Sequence, residues 1–400
     1  MSTPDAVGDP VPPFGVGMVG YAFMGVAHSR AWRSAGRVFD LPLDPRMTVL
    51  CGRDATAVTA AAARLGWASV ETDWKTVLQR DDVALVDICT PGSSHAEIAT
   101  AALAAGKHVL CEKPLANTVA EARSMAAAAR EARALGVRSM VGFNYRRVPA
   151  VAFARALVAA GRIGTVRHVR AQYLQDWIVD PEFPLVWRLR ADEAGSGALG
   201  DIGAHIVDLT QFVTGQRLTG VNALLETFVR RRPLPGAAAG LSATAAGGAL
   251  GEVTVDDAAL FLGRLDGGAI ATYEATRFAT GRKNAIRVEV NGSTGSLAFD
   301  LERLNELEFL DGTEDAELQG FRRVVVTEPG HPYLSGWYPP GHTLGWGDTF
   351  VHEIADLVRA VGAGTDPLPS FEDGLQVQLV LDAVQRSAAD RGCWTEVEEP

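Results

Sequence analysis

The sequence predicts an α/β protein of two domains. The first is a doubly wound parallel sheet, and the second is an open, predominantly antiparallel sheet flanked by helices. Its 400 residues are more than a single hydrophobic core ordinarily supports, which predicts two domains. Short apolar runs alternate with helical patterns up to about residue 145, which is typical of βαβ units. After Pro149, strand-like stretches are broken by hairpin signals such as Asn291-Gly292.

The N-terminal part is interpreted as five strands with helices between them. We predict strands at 16–19, 47–51, 84–88, 108–111 and 138–143, and helices that end at Trp32 or span 55–65, 94–105 and 119–135. Ligands of such sheets bind outside the carboxyl ends of the strands. The residues predicted to line that edge are Gly20, Gly52, Thr90 and Glu112.

The C-terminal part is interpreted as a helix at 151–160, a series of strands and two final helices. We predict strands at 165–176, 221–231, 255–265, 269–278, 285–290, 296–300, 306–310 and 321–327, interrupted by a helical segment that starts at Gly197. The Gly- and Ala-rich stretch 233–251 is expected to be a flexible loop. The predicted domains are 1–147 and 148–400, and the helices at 349–362 and 375–389 are expected to pack on both.

Composition excludes several classes of protein. The net charge of −11 argues against nucleic acid as a partner, and no apolar run is long enough to cross a membrane. The four cysteines show no C-x-x-C pair, so we expect neither a disulfide framework nor a metal site. The first fourteen residues have no apolar segment typical of an export signal. We therefore expect a cytoplasmic protein.

A glycine-rich turn follows the first strand. Gly20-Tyr21-Ala22-Phe23-Met24-Gly25 has the pattern G-x-A-x-x-G, which differs by one methyl group from the dinucleotide fingerprint. The first glycine allows a tight turn, and the small middle residue lets a pyrophosphate approach the helix N-terminus. On its own, such a turn is a plain strand–helix connection as often as it is a cofactor site. The β–α units that follow favour a dinucleotide cofactor.

The end of the second strand bears on the choice between NAD and NADP. An acidic residue there would bind the ribose 2′-hydroxyl of NAD. The sequence instead has Gly52, which leaves space, and Arg53, whose guanidinium suits a 2′-phosphate. The pattern slightly favours NADP. In the alternative, Arg53 is a solvated turn residue and Asp54 contacts the ribose.

Two further motifs carry candidate catalytic groups. Glu112-Lys113-Pro114 ends the fourth strand, where Lys113 could stabilise an alkoxide. Asp201 and His205 are four residues apart in a glycine-rich helix, so both lie on one face. An imidazole suits proton transfer near neutral pH. The alternatives are a structural pair or two metal ligands, and no third His or Cys is an obvious ligand.

Together these motifs resemble the glucose–fructose oxidoreductase, inositol dehydrogenase and rhizopine catabolism (Gfo/Idh/MocA) family. The resemblance runs from about Gly15 to Arg391. It is carried by the turn at Gly20, Thr90-Pro91 with His95, Glu112-Lys113-Pro114 and the Asp201/His205 helix. Within the family the chain most resembles the branch of levoglucosan and glycoside 3-dehydrogenases. The residues that suggest this branch are 143–147, 173–177, 196–201 and 274–277.

The resemblance implies hydride transfer between a nicotinamide coenzyme and a ring hydroxyl of a sugar, anhydrosugar, glycoside or cyclitol. It implies the catalytic residues Lys113, Asp201 and His205, with His205 taking the proton. Implied cofactor-binding residues are Gly20, Ala22, Phe23, Met24, Gly25, Gly52, Arg53, Thr90, Pro91, His95, Glu112 and Lys113. Implied substrate-binding residues are Lys113, Tyr145, Gln175, Trp177, Arg188, Asp201 and His205. It also implies homodimers or homotetramers formed through the open sheet.

Regular strand geometry would place the candidate cleft residues at 173–177 on two different faces of the sheet. Alternation predicts that Tyr173, Gln175 and Trp177 share one face of a strand and that Asp176 lies on the other. Further cleft candidates in loops are Trp187, Arg190, His331, Tyr333, Trp337 and Tyr338, although any single one of them is more often a packing or surface residue than a ligand contact. As a group these residues favour a polar, uncharged ligand over a phosphosugar.

Three other functions compete with a sugar dehydrogenase. A ketosugar reductase would use the same site in reverse. A non-catalytic, cofactor-binding regulator would not need Lys113, Asp201 and His205. A metal-dependent lyase is the fourth hypothesis, and insensitivity to chelators would dismiss it.

Overall fold

The computed structural model describes residues 11–236 and 244–400. Its N-terminal part contains a six-stranded parallel sheet with the strand order β3-β2-β1-β4-β5-β6. The strands are β1 (Pro13–Val19), β2 (Asp44–Cys51), β3 (Ser69–Glu71), β4 (Leu85–Ile88), β5 (His108–Glu112) and β6 (Ser139–Gly142). The doubly wound fold is confirmed. The sequence analysis missed β3, because three residues show no periodicity.

Helices cover this sheet on both faces. They are α1 (Phe23–Val38), α2 (Ala55–Leu65), α3 (Trp74–Leu78), α4 (His95–Ala104) and α5 (Val119–Ala134). Asp54 and Asp73 cap α2 and α3, and Thr118 forms a capping box with Glu121 at α5. These caps explain why the three helices begin where they do.

The C-terminal part contains a nine-stranded sheet with the order β16-β15-β14-β13-β7-β12-β11-β8-β17. All neighbouring strands in it are antiparallel except β12 and β7. The strands from here on are β7 (Val166–Leu174), β8 (Leu218–Glu226), β9 (Arg231–Pro235), β10 (Ala245–Glu252), β11 (Ala258–Leu265), β12 (Ile270–Thr276), β13 (Ala285–Gly292), β14 (Gly295–Asp300), β15 (Glu306–Asp311), β16 (Arg322–Val325) and β17 (Thr395–Glu396). The predicted open, predominantly antiparallel sheet is confirmed.

Strands β9 and β10 form a separate two-stranded sheet. The expected loop at 233–251 is therefore wrong for the residues of these strands, and residues 237–243 lie outside the described residues. The predicted strand 221–231 is also wrong in its extent, since β8 ends at Glu226. We call β9 and β10 the arm. Their sequences, RRPLP and AAGGALGE, show little hydrophobic alternation.

The remaining helices are α6 (Pro149–Ala159), α7 (Ala191–Ala194), α8 (Ala204–Thr214), α9 (Asp348–Ala363) and α10 (Phe371–Ala389). A π-helical turn, Leu199–Gly203, leads into α8. Helix α9 packs against α1 and completes one hydrophobic core of the parallel sheet, whereas α10 packs against α5 and β8. The domain boundary at residue 147 stays a prediction. Within 11–236 and 244–400, the helices are too short or too polar to span a bilayer.

Candidate active site

The glycine turn joins β1 to α1 at the carboxyl edge of the parallel sheet. Gly20 has a φ of 101°, and a Cβ there would lie 2.7 Å from the carbonyl oxygen of Cys89. A Cβ on Gly25 would lie 2.3 Å from the oxygen of Gly20. Ala22 precedes α1 without a side-chain cap, whereas side chains cap α2, α3, α5 and α10. Free N–H groups at a helix N-terminus suit a pyrophosphate.

Tyr21 covers the end of β2. A Cβ on Gly52 would lie 2.0 Å from the Cε1 atom of the Tyr21 ring. The space that the sequence analysis assigned to a 2′-phosphate is therefore occupied by this ring. Asp54 accepts a hydrogen bond from the N–H of Ala57 at 2.9 Å as the cap of α2, and Arg53 is exposed.

The other predicted rim residues occupy two loops that His95 holds together. Its Nε2 atom lies 2.9 Å from the oxygen of Thr90, and its Nδ1 atom lies 3.0 Å from the oxygen of Pro114. His95 is buried, whereas Pro91 is exposed at the edge. His95 therefore supports the rim from below, and its place in the cofactor set stays a prediction.

Lys113 begins a group of charged residues that we call the cleft cluster: Lys113, Asp201, Arg188 and Arg277. The Nζ atom of Lys113 donates to the backbone oxygen of Asp201 at 2.6 Å and to its Oδ1 at 3.3 Å. The guanidinium of Arg277 lies 3.6 Å from Oδ2 of Asp201. Burial would raise the pKa of Asp201, but Lys113, Arg188 and Arg277 hold it well below its usual range. Asp201 is therefore ionised and holds Lys113 in place.

Glu112 turns away from the cleft into a second group, the buried cluster: His28, Trp32, Asp87, Cys89 and Glu112. Its Oε1 atom lies 3.0 Å from Nε2 of His28, and the other nitrogen of that ring lies 3.0 Å from Asp87. Trp32 donates to Asp87 at 2.7 Å. Glu112 is 4% exposed. The structure therefore places its carboxylate beneath the rim and not at its surface.

His205 lies beside the cleft cluster among aromatic rings. The ring centroids of Tyr145 and Tyr173 are 4.8 Å and 5.8 Å from that of His205. Its Nδ1 atom is buried and has no hydrogen-bond partner among the residues that the structure describes. Burial, reinforced by the charge of Lys113, holds the pKa of His205 well below its ordinary value. The imidazole is therefore neutral and able to accept a proton.

A wall of hydrogen-bonding side chains extends from Tyr145 along the end of β7. We call the set Tyr145, Tyr173, Gln175, Trp177 and Asn284 the hydroxyl wall. Gln175 donates to Asn284 at 2.8 Å and accepts from Trp177 at 3.1 Å, whereas Asp176 pairs with Lys283 on the opposite side. Tyr173, Gln175 and Trp177 thus share one side as predicted, but β7 ends at Leu174, so the last two lie beyond the predicted strand. Such a wall offers donors and acceptors to the hydroxyls of a ligand.

The sequence analysis missed Asp256, and it used Arg277 only as part of the branch motif 274–277, with no role in the site. Arg277 is fully buried and also donates to the oxygen of Asp256 at 3.1 Å. The carboxylate of Asp256 accepts from the N–H groups of Gly197 and Leu199 at 2.7 Å and 2.8 Å, so it fixes the entry into the π-helical turn. A buried acid close to a glycine-rich turn in space leaves no local pattern in the chain.

Three of the loop aromatics predicted for the cleft contribute to packing elsewhere. Tyr333 stacks on His352 with a centroid distance of 4.6 Å, and Trp337 donates to Nε2 of His352 at 2.8 Å. His331 meets Phe153 edge-on. The segment that carries these three residues packs against α9 and α6, so the structure favours packing over ligand contact for them.

The arrangement can perform acid–base chemistry on a hydroxyl group. A neutral imidazole accepts a proton, and a lysine ammonium stabilises an oxygen that gains negative charge. The uncapped turn supplies a site for a pyrophosphate on the same edge of the sheet. These three elements suit the oxidation of an alcohol or the reduction of a ketone.

Comparisons with known proteins agree with this geometry. The sequence model of the family described as "Oxidoreductase family, NAD-binding Rossmann fold" matches residues 14–143. The sequence model of the "GFO/IDH/MocA C-terminal domain" matches residues 151–298. Levoglucosan dehydrogenase from Pseudarthrobacter phenanthrenivorans is 41% identical over 388 residues, which cover 96% of this chain and 98% of that protein.

Two crystal structures extend the comparison to three dimensions. An oxidoreductase domain protein from Kribbella flavida superposes with a TM-score of 0.93 at 66% identity, covering 97% of this chain and 100% of that one. Levoglucosan dehydrogenase in complex with NADH and levoglucosan gives a TM-score of 0.90 at 40% identity with the same coverage.

Proposed function

The chain belongs to the Gfo/Idh/MocA family of oxidoreductases, and we propose that it oxidises a ring hydroxyl of an anhydrosugar of the levoglucosan type. The observation that carries this proposal is the cleft cluster, in which an ionised Asp201 holds Lys113 beside the neutral His205. The relative that shares 41% of its sequence acts on the same class of substrate by its name.

In the proposed oxidation, the bound nicotinamide accepts the hydride as the C–H bond of the carbinol carbon breaks. His205 accepts the hydroxyl proton, because its ring is neutral. Lys113 stabilises the oxygen as it becomes a carbonyl, and Asp201 holds the ammonium in place. Ketone reduction reverses each of these transfers.

The hydroxyl wall and Arg188 are proposed to bind the sugar. Trp177 offers an apolar face to the ring, and the polar groups of Tyr145 and Gln175 lie beside it. Arg188 adds positive charge near Asp201. With Arg188 and Arg277 beside Lys113, the cleft holds more positive charge than the sequence analysis expected. The preference for an uncharged ligand therefore stays a prediction.

Absorbance of reduced nicotinamide at 340 nm tests the reaction. The panel is levoglucosan, glucose, methyl glucoside, myo-inositol and glucose 6-phosphate, each with NAD or NADP. The proposal expects the highest kcat/KM with levoglucosan. A higher value with glucose 6-phosphate would contradict the uncharged substrate, and turnover of myo-inositol alone would contradict the anhydrosugar.

NAD is proposed as the preferred coenzyme. The support is the NADH held by a structural relative at 40% identity, together with the Tyr21 ring over Gly52. The NADP preference predicted from Arg53 leads to a different expectation for the coenzyme affinity of the Arg53→Ala variant. If Arg53 binds a 2′-phosphate, Arg53→Ala weakens NADP more than NAD, whereas our proposal expects NAD to bind more tightly in both proteins.

A second copy of this chain is proposed to cover the outer face of the large sheet. Helices α6, α8 and α10 pack on the inner face. The outer face exposes apolar and charged side chains in adjacent strands: Leu224, Leu260, Leu262, Ile270, Arg170, Glu274, Arg287 and Glu289. Light scattering of Leu260→Lys and Leu262→Lys tests this proposal, which expects a smaller assembly than the wild type.

A cytoplasmic location is proposed from the buried free thiols of Cys51, Cys89 and Cys111.

A further inference from the structure

Trp346 lies where the glycine turn meets the hydroxyl wall. Its ring stacks on Phe23, with the centroids 5.6 Å apart and the planes inclined by 17°. Phe23 opens α1 within the turn and is 53% exposed. Trp346 also meets Phe350 edge-on at 4.8 Å and packs against both large hydrophobic cores. A single indole therefore contacts the turn that would hold the cofactor and the wall that would hold the sugar.

The indole N–H adds a donor to the hydrogen-bond network of the wall. It donates to the hydroxyl oxygen of Tyr145 at 3.2 Å, and Nδ2 of Asn284 donates to the same oxygen at 3.3 Å. A hydroxyl oxygen has two acceptor sites, so both are filled. Tyr145 must then donate its own proton to Tyr173, 3.0 Å away, and Tyr173 donates to Oδ1 of Asn284 at 2.7 Å.

The backbone of Trp346 is held at the same place. Its carbonyl oxygen accepts from the hydroxyl of Thr349 at 2.7 Å, and that hydroxyl accepts from Nδ2 of Asn144 at 2.9 Å. Asn144 precedes Tyr145 in the chain. The indole and its partner phenol are thus anchored to each other by two routes, which limits their relative movement.

We propose that Trp346 is a positioning residue that orients the hydroxyl wall for the sugar and couples the wall to the cofactor turn. The proposal rests on the proposed function. Through the N–H, Trp346 holds the hydroxyl of Tyr145 in place beside His205. Through the ring, it makes the wall sensitive to the position of Phe23. Binding at the turn and binding at the wall are then coupled, and coupling acts equally in both directions.

Two substitutions separate the two contacts. Trp346→Phe keeps an aromatic ring but removes the N–H donor, so we expect the KM for levoglucosan to rise about three- to tenfold with kcat changed less than about twofold. Trp346→Leu removes the stacking as well, and we expect the Kd of NADH to rise about two- to tenfold. Trp337→Phe is the matched control, because that indole donates to His352 away from the wall.

A double-mutant cycle tests whether the N–H acts through Tyr145. In a Tyr145→Phe background the acceptor is absent, so Trp346→Phe should have no further effect on the KM for levoglucosan. Additive effects of the two substitutions would overturn the proposal. So would a Trp346→Phe variant whose KM equals that of the Trp337→Phe control.

A spectroscopic test does not require turnover. The protein is labelled with 5-fluorotryptophan, and Trp346→Phe assigns the ¹⁹F resonance of residue 346. We expect this resonance to shift on addition of NADH and also on Tyr145→Phe in the unliganded protein. A resonance unmoved by both changes would overturn the proposal. A shifting resonance without oxidation of levoglucosan would instead overturn the proposed substrate and leave the role of Trp346 supported.

Discussion

The cleft cluster and the buried cluster adjoin each other at Glu112 and Lys113. The charged groups of the buried cluster are enclosed by protein, whereas those of the cleft cluster are open to a ligand. At the end of β5 the chain directs the Glu112 carboxylate inward to His28 and the Lys113 ammonium outward to Asp201. The buried cluster satisfies its charges internally and is shut off from solvent. In the cleft cluster, Lys113 and Asp201 are partly exposed, so a ligand can reach them.

This difference shows how one motif can serve folding and chemistry together. A charge enclosed by partners stabilises only if every partner is present, because an unpaired buried charge is costly. A charge at a cleft can exchange one partner for a ligand. Substitutions in the buried cluster should therefore change stability, whereas substitutions in the cleft cluster should change catalysis.

The largest effect is expected from His28→Leu. The substitution leaves the carboxylates of Asp87 and Glu112 without their shared partner, so we expect a loss of about 3–5 kcal/mol in the free energy of unfolding. Denaturation in urea measures it. His352→Leu is the matched control, since this buried histidine bonds the backbone of Arg147 and the indole of Trp337. Equal losses in the two variants would contradict the distinction between them.

Lys113→Met should have the next largest effect, but on activity. The substitution removes the cation that stabilises the reacting oxygen, so kcat should fall about 10²- to 10³-fold. The melting temperature should stay near that of the wild type, because the ammonium is only partly buried. Lys75→Met, at an exposed lysine, is the control for both measurements. A large fall in melting temperature would mean that Lys113 serves the fold and not the chemistry.

The stability supplied by His28 should depend on pH. Burial alone would lower the pKa of His28, but the charge of Asp87 raises it well above its usual value. A raised pKa stabilises the fold fully below the unfolded value of about 6.5, and this contribution is lost as the pH rises through the folded value. Glu353 lies nearby, and burial raises its pKa to about 8.

The comparison of wild type with His28→Gln isolates that contribution. The difference in unfolding free energy should be greatest near about pH 6 and should shrink towards about pH 10. The charge of His28 lowers the pKa of Glu353, so the measured contribution of His28 includes this coupling. A difference that grows with pH would show that His28 is neutral in the folded protein.

The smallest expected effect concerns the ring of His205. Because burial and Lys113 lower the pKa of His205, its NMR signals should stay those of a neutral ring at neutral pH. In Lys113→Met the pKa of His205 should rise, and in Asp201→Asn it should fall, since Asp201 acts in the opposite direction. Identical titration curves in the three proteins would show that the cleft cluster does not control His205.

The sequence alone predicted those parts of the site that follow from local sequence patterns. Lys113 lies at the end of a strand, Asp201 and His205 lie one helical turn apart, and the glycine turn has its own pattern. Partners that meet only in three dimensions were beyond those rules. Trp346 and Tyr145 are 201 residues apart, and Asp256 and Gly197 are 59 residues apart. Neither pair leaves a spacing that periodicity could detect.

The same limit applies to the direction of side chains and to the arm. Glu112 follows an apolar strand and is therefore predicted at the rim, but the buried His28 attracts its carboxylate inward. In the arm, β9 and β10 pair Leu250 with Pro233, Gly251 with Arg232 and Glu252 with Arg231. Hydrophobic alternation, the signal that predicts strands, is weak in such a sequence.

The position of α9 has a consequence for synthesis of the chain on the ribosome. Phe350, Ile354 and Leu357 of this helix share a core with Met18 and Trp32. About 200 residues separate the predicted end of the first domain from α9, which corresponds to about 10–40 s of translation. During that interval the nascent parallel sheet exposes an apolar surface that only the last part of the chain covers. We therefore expect chaperones to bind the emerging N-terminal half, and a fragment that ends near residue 147 to aggregate.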